Sequence, residues 1–212
     1  MKKFLISILL IVIAAAVFLA YRYNIIPHRA YTDAHFNIEP YVSANDADGD
    51  GIDDQTDILK SAKSYIATKP KYKSEYYQGG YPGGGYGVCT DVVAFALRGA
   101  GYDLMELVDA DIAENPDGYD IEKADKNIDF RRVRNLLVYF ENNAESLTTD
   151  VYDISEWHGG DIVVFPEHIG IVSDKRNKHG VPFLIHHAYP GQLHYEEDVL
   201  ERYTVTGHFR MW

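Results

Sequence analysis

The spacing of apolar residues changes once along this chain of 212 residues, and that change constrains the fold more than any other feature. Between residues 58 and 140, apolar residues recur at intervals of three and four, which predicts helices. From residue 161 onward they form short runs separated by turn residues, which predicts strands. Helices first and strands last is the order typical of an α+β domain.

The helices are expected over residues 58–66, 89–97, 104–112 and 133–140, and the strands over residues 161–165, 168–173, 181–187 and 203–209. We expect all of these elements to belong to one domain, over residues 58–212. Ahead of it we expect a linker over residues 25–45 and an acidic loop over residues 46–57.

The N-terminal segment is an apolar run over residues 4–20, interrupted only by Ser7 and preceded by two lysines. Its length suits both a short membrane-spanning helix and the core of a signal peptide. Cleavage after Ala16 is one alternative, because small residues precede that point. We expect instead an uncleaved signal anchor over residues 1–24, since the apolar run continues and aromatic residues follow it at the expected interface. This places the protein in the cell membrane with its domain outside; a cleaved signal would make it secreted.

The charge balance excludes one class of partner. The chain has 32 acidic and 20 basic residues, a net charge of -12. Proteins that bind nucleic acids usually carry the opposite sign on their binding face. We therefore expect no DNA or RNA partner.

The chain has a single cysteine, Cys89, which excludes an intramolecular disulfide. It follows a glycine-rich loop over residues 79–87 and begins a predicted helix. The free N–H groups and the dipole of a helix N-terminus favour an anion, so we expect a lowered thiol pKa and a reactive thiolate. Cys89 is the candidate nucleophile, and Tyr81 and Tyr86 in the preceding loop are candidate substrate-binding residues.

Two histidines are placed to assist that thiol. His168 begins a predicted strand directly after a tight turn, and His186 stands near the end of the next strand. Side chains on antiparallel neighbours lie within reach across the ladder. We therefore predict that His168 is the general base and that His186 accepts a hydrogen bond from its ring and orients it. His187 is the alternative third residue.

These residues resemble the NlpC-type papain-like cell-wall hydrolases, which carry a cysteine, a histidine and a second histidine in this chain order. The resemblance covers about residues 75–190, through Gly-Asp-Ile-Val-Val-Phe (160–165), His-Ile-Gly-Ile-Val (168–172) and Ile-His (185–186). Those enzymes usually have Asp-Cys-Ser-Gly at the nucleophile. Here Val-Cys-Thr-Asp (88–91) is closer to the CHAP amidase/peptidase branch of that fold.

A closer resemblance is to an uncharacterised family of exported bacterial proteins within the same superfamily. It rests on Gly-Val-Cys-Thr-Asp-Val, on Asn-Ile-Asp-Phe-Arg-Arg-Val (127–133) and on the Gly-His-Phe-Arg ending (207–210). The resemblance implies a papain-like α+β fold, with the nucleophile helix packed on an antiparallel sheet. It also implies cleavage of an amide bond in peptidoglycan or its stem peptides through a thioester. The alternatives are an acyltransferase on the same site and a non-enzymatic wall-binding module organised by calcium.

The acidic loop has the spacing of a calcium-binding loop. Oxygen ligands fall at positions 1, 3, 5, 9 and 12, glycine stands at position 6, and position 7 offers a backbone carbonyl. The predicted ligands are Asp46, Asp48, Asp50, Ile52, Asp54 and Asp57. Dense hard oxygen ligands suit Ca²⁺, and we expect a structural ion with no part in catalysis.

Overall fold

The computed structural model describes residues 2–211. The helices are α1 (Lys2–Arg22), α2 (Asp54–Ala67), α3 (Cys89–Arg98), α4 (Leu104–Glu114), α5 (Lys126–Asp129) and α6 (Val133–Asn143). The strands are β1 (Tyr31–Thr32), β2 (Lys71–Tyr72), β3 (Tyr86–Gly87), β4 (Glu145–Ser146), β5 (Ile162–Phe165), β6 (His168–Arg176), β7 (Pro182–Ile185), β8 (Glu196–Glu197) and β9 (Gly207–Arg210). The expected mixture of helices with an antiparallel sheet is confirmed.

One antiparallel sheet organises the domain, in the order β4-β9-β5-β6-β7-β8, and β1 pairs with β6. A tight turn joins β5 to β6, so that Phe165 lies opposite His168. In the next ladder Ile171 lies opposite Ile185. Because side chains alternate between the two faces of a strand, this register brings His168 and His186 to the same face.

The two faces of this sheet pack against different apolar clusters. Ile169, Ile171 and Ile185 join a large core with α2, α3, α4 and α6, in which most residues are fully buried. Val172 and Leu184 face a smaller cluster around Trp157. The N-terminus of α3 thus lies against the start of β6, which carries the predicted base.

The linker expected over residues 25–45 is wrong in its central part. Tyr31 and Thr32 pair with the end of β6, and a 3₁₀ turn follows over Asp33–Phe36. Asp33 accepts a hydrogen bond from the fully buried side chain of Arg176. This segment is therefore part of the folded domain. Sequence patterns missed it because a two-residue edge strand has no detectable periodicity.

The predicted strands are present with shifted ends. The strand expected over residues 168–173 continues to Arg176, the one expected over residues 181–187 ends at Ile185, and the last strand begins only at Gly207. The end of β7 matters for the site, because His186 and His187 follow the strand directly.

Helix α1 is long and apolar enough to cross a membrane, with mean hydropathy 2.9 over its most apolar window and no buried residue. This composition fits a signal anchor and a signal peptide alike.

The end of the helix contacts the domain. The Arg202 guanidinium donates to the Arg22 carbonyl at 2.5 Å, and His28 joins the Tyr21 carbonyl (2.8 Å) to the Asp198 carboxylate (2.7 Å).

Candidate functional site

Cys89 is the first residue of α3, as predicted, and a buried ion pair fixes the start of that helix. The Val88 backbone N–H donates to Asp91 at 2.8 Å. The Arg131 guanidinium donates to both oxygens of Asp91, at 2.7 and 3.0 Å, and the carboxylate is fully buried. A bidentate pair of this kind has a fixed geometry. It holds the turn that presents the thiol.

The Cys89 sulfur lies against the start of β6, where it accepts a hydrogen bond from the backbone N–H of Ile169. Burial raises the pKa of this thiol to about 11, although the N–H groups of Ile169 and Thr90 act in the opposite direction. The lowered pKa expected from the helix N-terminus is therefore not what the structure gives. Desolvation disfavours the thiolate more than the helix dipole favours it.

His168 and His186 come together as predicted: His168 Nε2 lies 2.9 Å from His186 Nδ1. Burial, reinforced by nearby His186 and His187, lowers the pKa of His168 to about 3. A neutral thiol and a neutral imidazole are thus the resting forms. Within residues 2–211 no hydrogen bond joins Cys89 to His168. Such contacts often form only when substrate binds.

A fourth residue, Glu197, extends this chain of hydrogen bonds. His186 Nε2 lies 3.1 Å from Glu197 Oε2, and both side chains are 5% exposed. Gln192 contacts the same carboxylate oxygen at 3.4 Å. No pattern in the sequence indicated Glu197, because β8 is two residues long and follows an irregular loop.

His187, the alternative third residue, has a different environment. Its ring lies edge-on to Tyr72 and Tyr195, with centroids 5.3 and 4.9 Å away. Its buried Nδ1 has no hydrogen-bond partner among residues 2–211. The ring hydrogen-bonded to His168 is that of His186, which therefore occupies the predicted orienting position.

The two loop tyrosines proposed to bind substrate differ in their contacts. The Tyr81 hydroxyl donates to Asp103 at 2.7 Å, and its ring packs on Phe95 and Phe130. These are the contacts of a packing residue, and substrate binding by Tyr81 stays a prediction. Tyr86 is half-buried on β3, with the Lys73 ammonium 4.9 Å from its ring centroid, and stays a prediction.

The structure places a different tyrosine near the thiol. Burial raises the pKa of Tyr72, and the neighbouring Cys89 adds to the effect. The charge of Cys89 therefore reaches Tyr72, although no hydrogen bond joins the two side chains among residues 2–211. Tyr72 lies on the two-residue strand β2, which no periodicity in the sequence indicated.

A cavity of about 600 Å³ adjoins the two histidines. Its lining includes His168, His186, Glu197 and the aromatic residues Tyr189 and Tyr203. Cys89 is not among the residues that line this cavity, which adjoins the two histidines rather than the thiol.

The acidic loop gathers part of the predicted ligand set. Asp46, Asp48 and Asp50 are exposed and place carboxylate oxygens within 4.8 Å of one another. Asp54 does not join them, because its two oxygens accept hydrogen bonds from the Ala47 N–H and the Tyr102 hydroxyl. Asp54 is the first residue of α2 and lies outside the cluster of three carboxylates, and its direct ligation stays a prediction.

Asp57, the last predicted ligand, is 7% exposed, and its Oδ2 has no hydrogen-bond partner among residues 2–211. Burial raises its pKa, and the charges of Asp50 and Asp48 raise it further. The negative charges of the acidic loop thus act on the Asp57 carboxylate, and Lys60 offsets them only in part. For Ile52, the structure shows its backbone N–H donating to Asp50 at 2.8 Å, and the predicted carbonyl ligation stays a prediction.

Comparison with known proteins identifies the family. A model described as "Domain of unknown function (DUF1287)" matches residues 59–211. The chain belongs to this family. It is also 37% identical over 166 residues to the uncharacterized protein YijF of Escherichia coli (strain K12), covering 72% of this chain and 80% of that protein. No solved structure matches.

The DUF1287 match spans the segment predicted as one domain over residues 58–212, and it begins after the acidic loop. The family and its relative carry no described activity. A function must therefore be argued from the arrangement of the side chains.

Proposed function

We propose that this protein is an extracytoplasmic cysteine hydrolase that cleaves an amide bond in peptidoglycan or its stem peptides. The observation that carries the proposal is the juxtaposition at the start of β6. There the Cys89 sulfur accepts the Ile169 N–H, and the adjacent His168 is hydrogen-bonded to His186 at 2.9 Å. A thiol, a base and a residue that orients the base are the parts that nucleophilic catalysis requires. Their order along the chain also supports a papain-like fold of the NlpC type.

The proposed reaction begins from the neutral pair. Cys89 Sγ attacks the carbonyl carbon while its proton passes to His168 Nδ1, and the Cys89 backbone N–H helps to stabilise the oxyanion. His168 then donates that proton to the leaving amine as the C–N bond breaks, which leaves a thioester. His168 next takes a proton from the water that attacks the thioester and returns it to the departing Cys89 sulfur, which releases the acid and restores the thiol.

The proposed location outside the membrane rests on α1 and on the segment after it. Two lysines precede the apolar helix, which favours a cytoplasmic N-terminus. The residues after the helix are bound to the domain: Asn24 is 5% exposed, and His28 contacts Asp198. An uncleaved anchor would thus hold the domain at the outer face of the cell membrane, within reach of wall peptides.

Two rival functions use the same features. An acyltransferase would form the same thioester and pass it to an amine instead of water. A calcium-organised wall-binding module would need neither Cys89 nor His168. The buried pairing of His168 with His186 and Glu197 favours the enzyme, because a binding surface has no need of an oriented base.

The test is mass spectrometry of muropeptides after digestion with purified full-length protein. Cys89→Ala and His168→Ala should each lower turnover, the latter by about 100- to 10,000-fold, the usual contribution of a general base. His186→Ala should leave a measurable remainder. His179→Ala is the matched control, since His179 is half-exposed and pairs with Glu201. If folded His168→Ala keeps more than about a tenth of parental turnover, the mechanism is wrong. New amide products in place of acids would identify the acyltransferase.

We also propose that the acidic loop binds a structural Ca²⁺ through Asp46, Asp48, Asp50 and Asp57. The support is the cluster of three exposed carboxylates together with the buried, unpartnered oxygen of Asp57. A divalent cation would neutralise this group of negative charges, and Ca²⁺ prefers such carboxylate oxygens. Asp54 would shape the loop through its hydrogen bonds.

Calcium should raise the melting temperature and chelator should lower it, because an ion bound only by the folded state stabilises that state. Asp48→Ala combined with Asp50→Ala should abolish the response, which calorimetric titration with Ca²⁺ checks directly. Asp117→Ala with Asp120→Ala removes the same charge outside the loop and should respond like the parent. Asp57→Asn should melt higher than the parent in chelator at neutral pH, because it removes a buried charge that Lys60 offsets only in part. Equal calcium responses in the loop variant and the parent would exclude the site.

A further inference from the structure

Glu197 ends a linear series of hydrogen bonds that begins at the predicted base. His168 Nε2 lies 2.9 Å from His186 Nδ1, and His186 Nε2 lies 3.1 Å from Glu197 Oε2. His186, Glu197 and Gln192 are 4%, 5% and 6% exposed. Water therefore does not compete for these contacts, and the protein itself determines which atoms carry the protons.

The direction of each hydrogen bond follows from the carboxylate. An ionised carboxylate can only accept, so His186 Nε2 must carry the proton. In a neutral imidazole the other nitrogen is then an acceptor, so His186 Nδ1 accepts from His168 Nε2. His168 is thereby left with its lone pair on Nδ1. That is the nitrogen that must receive the thiol proton.

We propose that Glu197 is a positioning residue, which selects through His186 the tautomer of His168 that can accept the Cys89 proton. The proposal rests on the proposed function of the Cys89 site and adds to it the group that fixes the proton positions. Glu197 has no hydrogen bond to the thiol among the described residues and would act through His186. Its effect requires only that its oxygen remains a hydrogen-bond acceptor.

Gln192 supports Glu197 in this position. Its side-chain nitrogen contacts Glu197 Oε2 at 3.4 Å and donates to the His194 carbonyl at 2.8 Å, while its oxygen accepts the Ala188 N–H at 2.7 Å. These contacts fix which end of the Gln192 amide faces the carboxylate. The Gln192 amide therefore presents a donor, not an acceptor, to the Glu197 oxygen, at 3.4 Å.

The neighbouring Glu196 provides a matched control. It lies on the same two-residue strand, but its carboxylate accepts from Lys175 at 2.5 Å and from the Ser173 hydroxyl. It has no contact with either histidine among the described residues. Removing it deletes the same charge one residue away and leaves the series intact.

The experiment uses the full-length protein and three variants. Glu197→Leu removes the acceptor and should lower kcat by about 100-fold or more, with KM changed by less than about twofold, because only a proton position is lost. Glu197→Gln should retain most of the turnover, because its amide oxygen still accepts from His186 and Gln192. Glu196→Leu should match the parent. Equal melting temperatures establish that each variant is folded.

Nitrogen-15 NMR of the histidine rings reads the tautomers without any turnover. In the parent and in Glu197→Gln, both His168 and His186 should be neutral and protonated on Nε2. In Glu197→Leu, the Nε2-protonated form of His186 should lose its dominance. A parent in which His186 is protonated on both nitrogens, or in which His168 carries its proton on Nδ1, would overturn the proposal.

The two measurements separate this proposal from the proposed function. A parent that turns over no muropeptide would refute the hydrolase, while the NMR tautomers alone would still decide the role of Glu197. An active parent whose Glu197→Leu variant is as active as Glu196→Leu would refute the positioning role and leave the hydrolase standing. Equal losses in the Gln and Leu variants, with unchanged tautomers, would also refute it.

Discussion

Two histidine–carboxylate clusters lie on the same antiparallel sheet, and they differ in how their hydrogen bonds end. In one, His208 on β9 uses both ring nitrogens, with Asp161 at 3.0 Å and the Thr148 carbonyl at 2.8 Å, and its ring stacks on Trp157. In the other, His186 is hydrogen-bonded to Glu197 through one ring nitrogen and to His168 through the other. His168 lies at the start of β6, and its Nδ1 has no hydrogen-bond partner among the described residues.

The difference separates a structural histidine from a candidate catalytic one. Asp161 is fully buried and also accepts two hydrogen bonds from Arg210, both at 2.8 Å, and one from Gln55 at 2.8 Å. Both oxygens of Asp161 and both ring nitrogens of His208 have hydrogen-bond partners, so His208 offers no free basic nitrogen. In the His168–His186–Glu197 series, by contrast, His168 Nδ1 has no partner among the described residues. The next residue is Ile169, whose N–H contacts the thiol.

The largest expected effect comes from breaking the cluster of Asp161 with Arg210 and His208. Asp161→Asn should lower the free energy of unfolding by about 3–5 kcal/mol, because Arg210 and His208 would lose their buried partner. His168→Ala, which leaves no buried charge behind, should change it far less. Denaturant unfolding of both variants measures the contrast. A smaller loss for Asp161→Asn than for His168→Ala would contradict the assignment of the two clusters.

The same cluster predicts a pH dependence. Burial works to raise the pKa of Asp161, but hydrogen bonds and charge from His208 and Arg210 outweigh it and hold the pKa below its usual 3.8. A depressed carboxyl pKa stabilises the fold above its unfolded value, and this stability is lost as the pH falls through the folded value. Parental stability should thus decline on acidification below about pH 4 through this group. Asp161→Asn should lack that part of the decline.

Sequence patterns predicted Cys89, His168 and His186 because the positions of these residues follow from local secondary structure. A cysteine that begins a helix and a histidine that begins a strand are read from periodicity and turns, and the antiparallel ladder then pairs His168 with His186. Glu197 and Tyr72 could not be read in this way. Both lie on two-residue strands, and only tertiary packing brings them to the site.

The direction of the Cys89 pKa was missed for a related reason. The helix N-terminus is visible in the sequence, whereas burial of the sulfur against β6 is a property of the assembled fold. In the acidic loop, the spacing of the aspartates correctly predicted that Asp46, Asp48 and Asp50 lie close together. It could not show that Asp54 turns toward Tyr102, because that contact also depends on packing between distant segments.

The rate at which Cys89 is alkylated tests whether its thiol is neutral at rest. A Cys89 pKa of about 11 leaves about one thiolate in 10,000 at pH 7, against a few per cent for an ordinary cysteine. The folded protein should therefore react with iodoacetamide on the order of 100-fold more slowly than glutathione, and the rate should rise steadily with pH. The urea-unfolded chain, in which the thiol is solvated, is the control and should react at the ordinary rate. A fast plateau between pH 5 and 8 would mean that a thiolate–imidazolium pair exists at rest, contrary to the general-base mechanism.

The smallest expected effect separates the two tyrosines near the nucleophile. Tyr72 interacts with Cys89, so its hydroxyl is a candidate second donor to the oxyanion, whereas the Tyr81 hydroxyl already bonds Asp103. Tyr72→Phe should lower kcat by about 10-fold, the equivalent of one hydrogen bond of about 1.4 kcal/mol, and leave stability unchanged. Tyr81→Phe should do the reverse, with a loss of about 1 kcal/mol in unfolding free energy and normal turnover per folded molecule. Turnover and denaturant unfolding, measured on both variants, decide the assignment. If Tyr81→Phe lost activity while Tyr72→Phe kept it, the glycine-rich loop rather than β2 would supply the substrate contact, as the sequence first indicated.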